Sequence, residues 1–236
     1  TYNAQKYIER TIHSIISQIY PNIEYVIIDG ASKDDTLTIL QKYKDHIDIL
    51  ISEPDAGLYD AMNKAMEHLT GEYLIFMNAG DQFADSHTLA NAMEGAQGAD
   101  LVYGLALKVD ESGHSRPWHK QTPPPDQLSA RSFLDGMVIC HQCMVLKTQC
   151  AVTFNLKYSI SADLDWSIRC MKRVRSAHFY GNQTFCLFLD GGVSDSGRLH
   201  SLVERLRILA SHFGWAQAIL HQFISFWRAL QRGTVR

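Results

Sequence analysis

The sequence predicts an α/β protein whose mostly parallel central sheet is flanked by helices, and three segments carry that prediction. In Tyr25 to Ser32, in the stretch closing on Glu53, Asp55 and Gly57, and in Phe76 to Asp81, an apolar run ends in acidic, small or amide residues. Parallel sheets gather charged ligands at such strand ends. Between these segments, apolar residues return at the spacing of helices packed on a sheet.

A first helix is expected from Asn3 to Ile19, where Ile8, Ile12, Ile15, Ile16 and Ile19 recur at helical spacing, Asn3 is placed to cap the start and Pro21 stops the run. A parallel sheet wants a strand immediately upstream of that helix, and none is visible. The first strand is therefore expected to be missing, leaving apolar side chains and unpaired backbone groups beside Tyr25 to Ile28. Residues 24 to 28 read as a strand, 34 to 43 as a helix and 47 to 51 as a second strand. A helix from Leu58 to His68 follows, and Tyr73 to Met77 forms the third strand.

Asp85 to Glu94 reads as helix, and Leu101 to Val109 as a strand closed by the turn at Asp110 to Gly113. Pro117 and Pro123 to Pro125 mark a loop over the functional edge. Met137 to Leu146 is expected as a strand, Asp163 to Arg173 as a helix, and Phe185 to Leu189 as a last strand before the flexible Asp190 to Ser194. Residues 1 to 195 make one α/β domain. Residues 196 to 236 form an amphipathic C-terminal helical segment, in which Leu202, Leu206, Leu209, Phe213, Ile219, Phe223 and Trp227 recur among arginines, with Gly214 dividing two helices. Such a segment can pack on its own domain or lie on an anionic membrane surface.

With 236 residues and 46% hydrophobic side chains, the chain can bury a substantial core, which excludes general disorder. Twenty-two basic and 25 acidic residues give a net charge of -3, so the total charge does not favour nucleic acid as a partner. Five scattered cysteines suit a reducing compartment better than a disulfide scaffold. Cys140 and Cys143 have the inner spacing of a zinc knuckle, but no second pair follows, so they read as core cysteines. No signal peptide and no charge-free apolar run of membrane-spanning length is visible. The expected location is cytoplasmic, with peripheral contact at the inner membrane's cytoplasmic face.

At the strand ends, a carboxylate at Asp29 can accept hydrogen bonds from a base N–H or from ribose hydroxyls. Gly30 permits close approach, and Ser32 suits a helix cap. Asp55, Gly57, Asp60, Asn63 and Lys64 surround the start of a helix at the same end of the sheet, although the first of them also suit a turn and cap. Asn78 and Asp81 close the third strand, where Asp81 serves either as a cap or as an oxygen ligand for a divalent ion on a diphosphate. Asp163 and Asp165, two residues apart at a helix start, do not share a face. One can cap while the other enters a cleft as a general base. His141 and Gln142 either shape the acceptor side or belong to the core.

Taken together these segments resemble the family 2 glycosyltransferases, inverting enzymes with the nucleotide-sugar-binding GT-A fold. Thr1-Tyr-Asn3, Ser14 to Gln18, Tyr20 to Glu24 and Ile28 to Thr36 are similar to the family's opening blocks, and Ser52 to Lys64 with Asn78-Ala-Gly-Asp81 resemble its bacterial exopolysaccharide subgroup, such as the colanic acid enzymes. The resemblance covers about residues 1 to 195. It implies that Thr1 and Tyr2 flank the base, that Asp29 binds the nucleoside, and that Asp55 to Asn63 borders pyrophosphate and sugar, with Asn3, Gly30 and Ser32 among the donor-binding residues. It also implies Asn78 at the donor, Asp81 as the remaining carboxylate for Mg2+ or Mn2+, and Asp163 as the catalytic base, with Asp165 second. Many relatives carry two or three aspartates where this chain has Asn78, Gly80 and Asp81.

The implied reaction moves a hexose or N-acetylhexosamine from a nucleoside-diphosphate sugar, by preference a UDP-sugar, to a hydroxyl of a lipid-linked polysaccharide precursor. Two other readings stand beside it: a glycosyltransferase-like binding or scaffold subunit without turnover, and a sugar-phosphate nucleotidyltransferase. The second lacks a glycine- and base-rich triphosphate loop near the start of the chain.

Overall fold

The computed structural model describes residues 1–118, 127–191 and 198–231. The expected loop at Pro123 to Pro125, residues 192–194 and Arg232 and Arg236 lie outside the described residues. Helix α1, Ile8–Ile16, buries Ile8, Thr11, Ile12 and Ile15, the face that the spacing indicated. It starts later than expected, because Asn3 has a left-handed φ of 46° and its Oδ1 accepts the Lys33 N–H at 2.9 Å. Asn3 therefore ties two loops together and does not cap α1.

Strand β1, Val26–Asp29, pairs in parallel with β2, Ile49–Ser52, the two joined through α2, Thr36–Lys42. On the other flank of β1, the Thr1 nitrogen donates to the Ile28 carbonyl at 2.6 Å and the Gly30 N–H donates to the Thr1 carbonyl at 2.9 Å. That is parallel-sheet bonding opposite Asp29. Beyond it the flank faces a cleft.

After α3, Leu58–Met66, a second sheet begins. It comprises β3, Tyr73–Leu74; β4, Gln82–Phe83; β5, Leu101–Val109; β6, Ser115–Pro117; β7, Met144–Lys147; and β8, Ala177–Leu189. Its order is β3-β7-β5-β8-β4, with β6 alongside β5. The α/β layering is as expected, but the pairing is mixed: among the described residues only β1 with β2 and β5 with β8 run parallel. The expected strand at Met137 to Leu146 is shortened by a 3-10 turn at His141–Cys143, which swings His141 and Gln142 out of the ladder.

Helix α4, Thr88–Ala96, covers one face of this sheet. On the other face lie α5, Ala162–Met171, and α6, Arg198–Phe213, followed by α7, Trp215–Gln231. Gly214, at φ +86°, breaks α6 from α7 where the sequence indicated. Phe154 stacks on Trp166 at 5.0 Å and on Tyr59 at 5.4 Å, which joins α3 to α5. Ile208, Leu209 and Ala218 are fully buried in the same cluster as Leu164 and Ile168. The boundary near residue 196 therefore does not separate two cores. The exposed side of α7 carries Trp215, Ile219, Phe223 and Trp227, four residues apart and each more than half exposed.

Candidate functional site

A cavity of about 860 Å³ opens between the two sheets and reaches their strand ends. Part of it is the cleft between Tyr25 to Ile28 and Leu74 to Met77. The remainder collects polar residues in two groups. Thr1, Tyr2, Asn3, Asp55 and Gly57 form one, and Asn78, Asp81, His141, Gln142, Asp163, Ser201 and Arg205 form the other.

In the first group, the turn before α3 is built by its own side chains. Asp55 Oδ1 accepts the Gly57 N–H at 2.9 Å, and Asp60 Oδ2 accepts the Ala56 N–H at 2.9 Å. Gly57, at φ +114°, sits where an L side chain is strained. Gly30 has no side chain because a Cβ there would overlap the Asp55 carboxylate. The Thr1 hydroxyl is buried and has no hydrogen-bond partner.

Asp29, the expected nucleoside ligand, does not line the cavity. It is fully buried, and its Oδ2 accepts from the Ser32 N–H at 2.9 Å and the Ser52 hydroxyl at 2.7 Å. Its acceptor capacity holds β1, β2 and the following turn in register, and Ser32 and Gly30 belong to that turn. Asn63 is also absent from the wall: it exchanges hydrogen bonds with the Phe154 backbone at 3.0 and 2.6 Å. Asp60 stays in its turn.

Asp81 reaches the cavity wall but is nearly enclosed, at 3% exposure. Gln142 Nε2 donates to its Oδ2 at 2.6 Å, and the Leu189 N–H donates to Oδ1 at 2.9 Å. Burial outweighs those bonds and pushes its pKa up to about 6. Among the described residues no three carboxylates, histidines or cysteines converge. The expected role of holding Mg2+ or Mn2+ would thus fall to a single, nearly enclosed carboxylate, with no further group of protein ligands around it among the described residues.

Asp163 begins α5 and faces the cavity. Its Oδ1 accepts the Leu164 N–H at 2.9 Å, and its Oδ2 lies 3.7 Å from His141 Nδ1. His141 Nε2 is 3.4 Å from Asn78 Nδ2, so Asn78, His141 and Asp163 form a chain along one wall. Tyr59, whose hydroxyl donates to the Ile160 carbonyl at 2.7 Å, braces the loop before α5.

Asp165 points the other way. Its Oδ2 takes the Arg169 Nε–H at 2.7 Å, and its Oδ1 lies 2.8 Å from His212 Nε2 on α6. The Lys172 ammonium donates to His212 Nδ1 at 2.9 Å, so the imidazole proton sits on Nε2 and is donated to Asp165. Burial raises the Asp165 pKa, but His212 and Arg169 outweigh it and bring the value below the ordinary one. The second candidate base is thus a link between helices, placed outside the cavity wall by the two-residue offset from Asp163.

Two residues of α6 join the site that the sequence reading passed over. The Glu204 carboxylate accepts the N–H groups of Ser159, Ile160 and Ser161 at 2.7, 3.0 and 2.9 Å, fixing the approach to Asp163. Arg205 enters the cavity wall itself. Glu204 is the only acidic residue between 196 and 236, the one signal in the sequence that this stretch is more than a basic amphipathic helix.

The chain is similar to known proteins. The model for "Glycosyl transferase family 2" matches residues 1–150. A PGL/p-HBAD biosynthesis glycosyltransferase of Mycobacterium bovis is 32% identical over 179 residues, covering 72% of this chain and 66% of the relative. Staphylococcus aureus TarS in complex with UDP-GlcNAc superposes with a TM-score of 0.69 at 19% identity, over 89% of this chain and 64% of that one. The Pyrobaculum calidifontis mannosyltransferase PcManGT, in complex with GDP-Man and Mn2+, gives 0.63 at 16% identity over 98% and 73%. The chain spans 63% and 66% of the length of two mycobacterial relatives. The family match over most of the chain, together with the shared architecture, shows that this protein belongs to glycosyl transferase family 2 and has a GT-A-like fold.

Proposed function

We propose that the protein is an inverting glycosyltransferase that moves a hexose or N-acetylhexosamine from a nucleoside-diphosphate sugar to a hydroxyl of a lipid-linked precursor of bacterial surface polysaccharide. The observation that carries this reading is the shared cavity: the Asp163 carboxylate faces the same space as the Thr1, Tyr2, Asn3 and Asp55 wall. Donor and acceptor can therefore meet beside one carboxylate that faces this space.

In this reading the Thr1 to Asn3 and Asp55 to Gly57 segments border the donor. Asp163 accepts the proton of the acceptor hydroxyl while that oxygen bonds to the anomeric carbon. The bond from the anomeric carbon to the diphosphate breaks on the opposite face, its electron pair leaving with the diphosphate, and the configuration inverts. The Leu164 N–H orients that carboxylate, and His141 stands 3.7 Å from it on the same wall. A UDP-sugar is preferred, in keeping with the TarS complex, and a divalent cation would be held largely by the donor diphosphate.

Among the described residues no helix is long and apolar enough to cross a membrane. The exposed stripe on α7 instead suits peripheral contact with the cytoplasmic face, where a lipid-linked acceptor is presented. A nucleotide-sugar-binding subunit without turnover is the second reading, favoured by the engaged Asp81 carboxylate.

One experiment separates the two: donor turnover across UDP- and GDP-sugars, with Mg2+ and Mn2+, in the wild type and in Asp163→Asn. Turnover that falls by about a thousandfold in the variant while donor affinity holds supports the enzyme and its base. Donor binding without turnover in the wild type supports the binding subunit.

A further inference from the structure

Two buried side-chain polar atoms among the described residues lack any hydrogen-bond partner, Thr1 Oγ1 and Arg205 Nε, and both residues line the same cavity. Thr1 belongs to the donor wall. Arg205 does not: it rises from α6, its guanidinium lies against Gly136, and its charge acts on Asp163. Gly136, at φ +101°, has no Cβ to displace that guanidinium. Ser201, one turn earlier on α6, also lines the cavity, with its hydroxyl 3.2 Å from that of Ser161.

The Asp163 carboxylate offsets the Arg205 charge in part, but a buried N–H with no acceptor remains unfavourable. The site thus has a forked donor whose Nε–H is still open to an acceptor. From Arg205, Gly136 and Ser201 we infer an anion subsite on the acceptor side of the cavity, built for a phosphate group carried by the acceptor. A planar guanidinium matches phosphate oxygens in pairs.

The assignment to the acceptor rests on the proposed role of Asp163. In an in-line displacement, the base and the departing diphosphate stand on opposite sides of the anomeric carbon. A cation beside the base is therefore on the acceptor's side. The phosphate has two possible sources, a polyprenyl phosphate at a membrane or a soluble sugar phosphate, and the chemistry at Arg205 is the same for both.

The test uses the full chain, labelled with 15N, with and without saturating UDP. Glucose 1-phosphate is titrated in one arm, and polyprenyl phosphate in phosphatidylcholine vesicles in the other. The inference requires that at least one arm shift the Arg205 Nε–H resonance with UDP already bound. It also requires Arg205→Met to weaken that binding by about tenfold or more while UDP affinity stays within about twofold. No shift in either arm overturns it, as does equal phosphate affinity in the variant or a matching loss of UDP affinity. Should Arg205→Met fail to fold, the wild-type resonance alone decides: shifted, the subsite stands; unshifted, it falls. Failure of the donor reading shows separately, as absence of UDP binding in the wild type, because phosphate is also titrated without UDP.

Discussion

Glu204 Oε2 accepts the Ser161 N–H at 2.9 Å, so a carboxylate on α6 fixes the residue two positions before the candidate base. The same side chain takes the N–H groups of Ser159 and Ile160. Its substitution by Ala leaves the buried Ser161 N–H and two partly buried donors without their acceptor, and Glu204→Ala is expected to cost about 3 kcal/mol in urea denaturation. Turnover per folded molecule should fall with it, while UDP affinity is unchanged.

Asp81 sets a pH dependence with a defined sign. Its folded-state pKa, pushed up to about 6 from an ordinary 3.8 by burial, means that the folded protein keeps a proton the unfolded chain loses between those values. The stability it contributes is fully present below the unfolded value and is lost as pH rises to about 6, at roughly 1.4 kcal/mol per pH unit within the window. Glu204 acts in the opposite sense. Burial raises its pKa, but the backbone hydrogen bonds outweigh it and lower the value from 4.5, so its contribution is present above that value and is lost on acidification. Urea denaturation from pH 4 to 7 should show Asp81→Asn losing the decline toward pH 6. An unchanged slope would show that Asp81 is not its source.

Asp165 and Asp163 separate by experiment as they do in space. Asp165→Asn weakens the contact between α5 and α6 and is expected to lower stability by about 2 to 3 kcal/mol, with turnover per folded molecule retained. Asp163→Asn should do the reverse. If Asp165→Asn abolishes turnover without destabilising the fold, the assignment of the base moves to Asp165.

Membrane contact is best tested by point substitution, since deleting the tail removes Ile208, Leu209 and Ala218 from the core. The double variant Trp215→Ser, Phe223→Ser changes only exposed side chains. Flotation with anionic vesicles should recover wild type with the lipid and leave the variant behind, with unchanged thermal stability. Equal flotation would remove α7 from the membrane reading.

The sequence made the helices legible wherever one face was apolar at helical spacing, as in α1, α3 and α5. The short strands β4 and β6 escaped because two or three residues carry no period; only their partners β8 and β5 define them. Met137 to Leu146 read as a strand through to its end because buried Cys140, Cys143 and Met144 look alike whether turned or extended. At the site, Asp163 and Asp81 were placed at the cavity from pattern and resemblance alone. The roles of Asp29 and Asp165 were not legible, since Ser52 and His212, which occupy them, lie 23 and 47 residues away. Arg205 looked like one more arginine of a basic tail, and only burial distinguishes it from Arg207, which is exposed.

The ties between α6 and α5 bear on where this protein tolerates an insertion. Glu204 holds the loop before Asp163, and His212 meets Asp165. A domain inserted between α5 and α6 would load both ties and distort the wall around Asp163, whereas a label on the exposed side of α7 leaves them alone.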